Sequence, residues 1–197
     1  DWAAAIDHVV SVKASHPHLM AINISLVSTV TFSGCPCDNQ NPVNQLLAAS
    51  IQAAAQNRIV TVASAGNTSI CTQMASPACV TGAVSVAGSR ITGAPDKLLA
   101  TSSLSPCTDL AAPGAQILST GLNGGTVQMG GSSQAAPHIS GVLALMSDRR
   151  AGMDPTFFPA IIQATGAPTT SDCPLALPLP PRVNALAAVN ALMIRRR

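Results

Sequence analysis

The first apolar pattern lies in residues 1–15, where Trp2, Ile6, Val9 and Val10 recur at helical spacing and Val12 falls off the stripe. This predicts an amphipathic helix. It should stop near Ser15-His16-Pro17, because a proline disfavours the helical conformation in the residue before it. Leu19-Met20-Ala21-Ile22-Asn23-Ile24-Ser25-Leu26 is a short apolar run, as expected of a parallel strand covered on both faces. A helical stripe returns at 42–57, through Val43, Leu46, Leu47, Ile51 and Ala54. Arg58 then leads into Ile59-Val60-Thr61-Val62-Ala63-Ser64, a β-branched run suited to a central strand. Further on, Gly130-Gly131 precedes an apolar run of helical character ending at Met146. Asp154-Pro155 opens a helix reaching Ile161-Ile162, and another closes the chain between Arg182 and Met193. Residues 31–42 and the proline-rich 169–181 read as loops. No internal repeat is present.

The totals narrow the class. A chain of 197 residues can bury one sizeable core, and one domain is the expectation. Apolar residues make up 47% and charged residues 9%, with no glutamate and no tyrosine, which describes a heavily buried chain and not a disordered one. The net charge of +2 is too small to point to nucleic acid or an anionic membrane as partner. The Arg195-Arg196-Arg197 tail reads as a solvated end. No apolar run approaches a membrane span, and no targeting signal is visible at Asp1-Trp2-Ala3.

Six cysteines without zinc-like spacing favour disulfides and an oxidising compartment. Their pairing is not readable from the sequence. Cys35-Pro36-Cys37 is too tight to bridge to itself, so two bonds to different partners, or one bond and one free thiol, are expected there. A copper or zinc site at this pair lacks matching histidines. His16 and His18 fall in a turn and read as exposed loop residues.

The candidate chemistry sits in Gly131-Ser132-Ser133-Gln134-Ala135-Ala136-Pro137-His138. Glycines deliver a serine to a helix start, with small residues behind it. A serine hydroxyl becomes a useful nucleophile on such a turn, beside a base and with donors waiting for an oxyanion. Ser133 is the candidate. A plain helix cap is the bland alternative. Ala135 excludes the Gly-x-Ser-x-Gly elbow of α/β-hydrolase esterases.

This octet resembles the Gly-Thr-Ser-x-Ala-Ala-Pro-His signature of subtilisin-like serine proteases, with Ser132 where threonine is usual. The resemblance extends along the chain. Ala-Ile-Asn-Ile-Ser-Leu ending at Leu26 resembles the segment whose strand edge pairs with the substrate backbone and walls the specificity pocket. Ser25 and Leu26 match it, whereas Val27 stands where glycine is usual and should narrow the cleft. Val-Ala-Ser-Ala-Gly-Asn ending at Asn67 resembles the segment that supplies an asparagine amide to the oxyanion hole. The segments Ser76-Pro77-Ala78-Cys79, Val84-Ser85-Val86-Ala87, Asp109-Leu110-Ala111-Ala112-Pro113-Gly114 and Ala164-Thr165-Gly166 also match. By this likeness Asp109 is structural and His138 is a helix residue, not the triad base; lying five residues past Ser133, it should point to a different side of the helix.

The likeness implies an α/β three-layer sandwich with a mostly parallel central sheet, of which residues 1–197 form the later part. The segments bearing the triad aspartate and histidine are missing and belong upstream. The expectation is therefore a secreted serine endopeptidase acting on polypeptides, inactive as this chain alone, with the missing N-terminal segment as a partner. A non-catalytic binding domain of the same shape is the rival. No cofactor is expected, and a structural calcium, which the family allows, has no identifiable ligands in this sequence.

Overall fold

The β-branched run after Arg58 carries apolar side chains on both faces, and this two-sidedness sets the layers. Val60 and Val62 join one buried cluster, whereas Ile59, Ala63 and Ala65 join another. Such a strand needs cover on each side. The computed structural model describes residues 2–94, 96–174 and 179–193 and supplies that cover. The Arg195-Arg196-Arg197 tail, Asp1 and residues 175–178 lie outside the described residues.

The first half contains α1 (Trp2–Val12), β1 (Ala21–Ile24), β2 (Thr31–Phe32), α2 (Pro42–Gln56), β3 (Val60–Ser64), β4 (Met74–Ala75) and β5 (Ala83–Ser89). The second half contains β6 (Leu110–Pro113), β7 (Ile117–Thr120), β8 (Thr126–Met129), α3 (Ser132–Arg149), α4 (Phe158–Thr165) and α5 (Ala185–Ala191). Among the described residues the central sheet has four strands in the order β1-β3-β5-β6, all parallel. Helices α1 and α2 cover one face through Ile6, Leu47, Ile51 and Ala54. Helix α3 crosses the other face on Ala135, Ala136, Ile139, Leu143 and Met146, with α4 and α5 beside it. This is the α/β layered arrangement expected from the sequence.

Local chemistry explains the boundaries. Asn41 caps α2, its side-chain oxygen accepting from the Asn44 N–H at 2.8 Å, and Pro42 fills the first helical position where no donor is needed. The stripe read over 42–57 divides: Leu47, Ile51 and Ala54 turn inward, while Val43 and Leu46 are each 60% exposed. The helix opened at Asp154 begins as a 3-10 turn over Pro155–Phe157, capped by the Asp154 carboxylate, before α4. Strand β1 is shorter than the run 19–26: Leu19 and Met20 precede it, and Ser25 and Leu26 lie beyond its carboxyl end.

Three disulfides join distant loops: Cys35–Cys107, Cys37–Cys79 and Cys71–Cys173. Cys35 and Cys37 thus take different partners. The bonds span 72, 42 and 102 residues, and restricting loops of that size in the unfolded chain is worth about 4 kcal/mol each.

Asp109 enters β6 at the end of that strand remote from Gly131. Its Oδ2 accepts from the Ser85 N–H and the Ser85 hydroxyl, each at 2.8 Å. Burial pushes the carboxyl pKa up, and the two Ser85 bonds pull it only part of the way back. A raised acid favours the native state while it is protonated. That stability is lost as the pH rises from the ordinary carboxylate value through the raised native one. We expect Asp109→Asn, which keeps an oxygen acceptor for Ser85, to gain stability relative to the parent as the pH climbs through that window. Urea unfolding of both proteins at pH 3 and pH 7 checks the sign.

Candidate active site

Three carboxyl ends of the parallel sheet meet at the start of α3. Gly114, just past β6, donates its N–H to the Ser89 carbonyl, and its own carbonyl accepts from the Gly131 N–H at 2.7 Å. Gly131 has φ +143°, and a Cβ there would stand 2.9 Å from Asn67 Nδ2 and 3.0 Å from its Oδ1. Only glycine allows this backbone and this approach.

Ser132 is fully buried and ties α3 to the end of β3. Its N–H donates to Asn67 Oδ1 at 2.8 Å. Its hydroxyl oxygen accepts from the Gly66 N–H at 3.1 Å, and its one proton is shared between the Gly66 carbonyl and Asn67 Oδ1, each 3.1 Å away. A backbone N–H can only donate, so Asn67 must present its oxygen to α3. The Nδ2 amine is therefore left as a donor at the exposed end of β3.

Ser133 follows in the first turn of α3, half-buried. Its N–H has no acceptor among the described residues, as the open start of a helix leaves it. Its carbonyl is also freed, because Pro137 has no N–H to return to it. Ser25 fills that gap: its hydroxyl donates to the Ser133 carbonyl at 2.7 Å, and it accepts from Asn23 Nδ2 at 2.9 Å. The end of β1 is thereby pinned to the serine turn. Leu26 and Val27 project from it, 61% and 37% exposed, and Ser28 closes the far side by donating its N–H to the Ser76 carbonyl at 2.8 Å. The structure thus brings Asn67, Ser133 and Ser25 to one corner, with Leu26 and Val27 at its rim.

A groove of about 710 Å³ opens from Ser133 between α3 and the β7–β8 hairpin. His138 lines it too, although its spacing from Ser133 predicts a different face of the helix. The His138 ring is engaged through Nδ1 with the Gln134 carbonyl at 2.9 Å. His16 and His18 are exposed in the turn before β1, at the other end of that strand from Ser25. Among the described residues no imidazole accepts from the Ser133 hydroxyl. No group of three or more acidic, histidine or cysteine side chains among them could hold a metal ion.

The profile of the subtilase family matches residues 2–174. The chain belongs to the subtilase family. It is 33% identical over 116 residues to alkaline serine exoprotease A of Vibrio alginolyticus, covering 59% of this chain and 21% of that protein. It is 37% identical over 98 residues to subtilisin-like protease 1 of Trichophyton verrucosum, covering 50% of this chain and 24% of that one. The chain thus spans under a quarter of the length of these curated relatives. Among solved structures, the prenylagaramide maturation protease PagA superposes with TM-score 0.78 at 24% identity, over 98% of this chain and 67% of its own. The patellamide maturation protease PatA gives 0.76 at 26%, over 97% and 67%.

Two sequence signals at this corner go unread at first sight. One is Pro137, whose missing donor recruits Ser25. The other is Ser132, which reads as a substitute for threonine yet carries the clamp to Gly66 and Asn67. Ser132→Ala strands the buried Gly66 N–H and should destabilise the fold by about 1–3 kcal/mol. Ser25→Ala, leaving a half-buried carbonyl that water can reach, should cost about 1 kcal/mol or less. Chemical unfolding of the two variants beside the parent measures the difference.

Proposed function

We propose that this chain is the nucleophile-bearing part of a subtilisin-type serine endopeptidase. Ser133 attacks the scissile carbonyl, and the tetrahedral oxyanion is held by Asn67 Nδ2 and the Ser133 N–H. The amine leaves with the transferred proton, and water then hydrolyses the acyl-enzyme. Asp and His of the triad come from outside residues 1–197, so the chain alone is inactive on peptide bonds. Ser25, Leu26 and Val27 form the edge that the substrate backbone meets. Secretion is part of the same reading and is supported by the three disulfides. No helix of the described residues is long and apolar enough to cross a membrane.

The observation that carries this reading is the Ser132 N–H bond to Asn67 Oδ1, which leaves the amide nitrogen as a free donor next to the Ser133 turn. Electrostatic help of this kind is worth about 3 kcal/mol of barrier per donor.

The test supplies the missing base from solution. A fluorophosphonate is incubated with the chain in rising imidazole. The Ser133 Oγ–P bond forms, the P–F bond breaks, fluoride leaves, and the hydroxyl proton goes to imidazole. We expect labelling to grow with free-base imidazole, to map to Ser133 and to vanish in Ser133→Ala. Asn67→Asp keeps the acceptor for Ser132 but removes the amine donor and adds a negative charge. It should slow labelling by about 10²-fold or more. Labelling of Ser133 no faster than that of other serines supports the non-catalytic reading and sinks this one.

Val27 gives a separate prediction about substrate preference. Val27→Gly should raise the ratio of labelling rates for bulky over small fluorophosphonates by about tenfold, the usual worth of one or two methylenes in a pocket.

A further inference from the structure

Ser132 holds the carboxamide of Asn67, but the backbone of Asn67 is held from another quarter. The residue lies just past β3, where Gly66 at φ +109° turns the chain out of the sheet. Its own N–H and carbonyl have no partner among the described residues, whereas its neighbours on both sides do. The Gly66 carbonyl accepts from the Ser103 N–H at 2.9 Å. The Ser103 hydroxyl oxygen accepts from the Thr68 N–H at 3.2 Å and meets the Thr68 hydroxyl at 2.8 Å. The seam continues with the Ser69 N–H on the Thr101 carbonyl at 2.9 Å and the Leu104 N–H on the Ile70 carbonyl at 3.1 Å. Ser103 thus brackets Asn67, bonding to the residue before it and the residue after it.

The bracket is itself fixed. Ser103 is fully buried, and a Cβ added at Gly66 would stand 2.9 Å from its Oγ, so the hydroxyl lies against the Gly66 backbone. Beside it the Ser102 hydroxyl oxygen accepts from the Gly88 N–H of β5 at 2.9 Å. Leu98 and Leu104 bury against Ala87 and Ala111. The 98–104 segment is therefore anchored to β5 and β6 on one side and reaches Asn67 on the other. The Gly66 carbonyl also accepts from the Ser132 hydroxyl, so the two ties on Asn67 meet at one oxygen.

We propose that Ser103 is a positioning residue of the oxyanion site: by clamping the backbone on both sides of Asn67, it sets where the Nδ2 donor stands. It touches neither the substrate nor the reacting atoms. The inference rests on the reading of Asn67 as the oxyanion donor. Ser132 decides which atom of the carboxamide faces outward, and Ser103 decides where that atom is. The second condition matters as much as the first, because a misplacement of about 1 Å in a preorganised site can cost 10²-fold in rate.

The test uses the whole chain. Ser103→Ala removes the clamping hydroxyl. Thr68→Val, at an exposed position, removes only the hydroxyl that Ser103 meets, and Thr68→Ser keeps it. The first readout is the Asn67 side-chain amide in a proton–nitrogen correlation spectrum, identified by its disappearance in Asn67→Asp. Its pair of peaks should shift or broaden in Ser103→Ala and Thr68→Val and return to the parent position in Thr68→Ser. A pair that stays put in Ser103→Ala overturns the proposal, as does a pair that stays put in Thr68→Val should Ser103→Ala fail to fold. The second readout is imidazole-dependent fluorophosphonate labelling of Ser133. Ser103→Ala should slow it about tenfold, and Thr68→Val should slow it less while keeping the urea midpoint of the parent. Made in the Asn67→Asp background, Ser103→Ala should slow labelling no further, since the donor it aims is gone. An equal loss in both backgrounds means that Ser103 acts through the fold at large and overturns the proposal. Peaks that move as expected, in a parent whose Ser133 never labels, leave the clamp on Asn67 standing and remove the catalytic reading of Ser133.

Discussion

A single buried hydroxyl holds the site together. Ser132 takes one hydrogen bond from Gly66 and gives one back toward Gly66 and Asn67, while its N–H fixes the Asn67 carboxamide. Because that knot lies at the junction of β3 and α3, the strand end and the helix start cannot move independently. Removing one partner leaves a buried donor without water, which costs more than the bond contributes when made. Gly131 makes the close approach possible, and Gly114 holds Gly131 from below.

The layers supply what the knot needs. A four-stranded parallel sheet brings the carboxyl ends of its strands to one edge, the usual place for a site in an open α/β sheet. Helix α3 buries Ala135 and Ala136 completely in its first turns, which lets it descend close to β3 and β5. Larger side chains there would lift the Ser133 turn away from Asn67. Packing of the small residues therefore positions polar groups that never touch them.

Much of this was legible in the residue pattern. The two-sided apolar run at 59–64 announced a covered central strand, and the glycine-serine octet announced the turn. Helix α2 was readable from its period and from Pro42. The β7–β8 hairpin was not, because its residues are mostly exposed and show no alternation between a buried and a solvated face. The division of the α2 stripe was equally hidden, since Val43 and Leu46 are as apolar as Leu47. Disulfide partners depend on loop positions that no local pattern encodes. The link from Ser25 to Ser133 could have been sought from Pro137, whose missing donor marks a carbonyl in want of a partner four residues earlier.

Cys71 lies four residues beyond Asn67, and its bond to Cys173 anchors the loop that leaves the end of β3. Material made in a reducing cytosol would have the right sequence but an untethered loop at that corner. Purification and storage without thiols therefore belong to the definition of the native sample, and a silent preparation made with them would say nothing about Ser133.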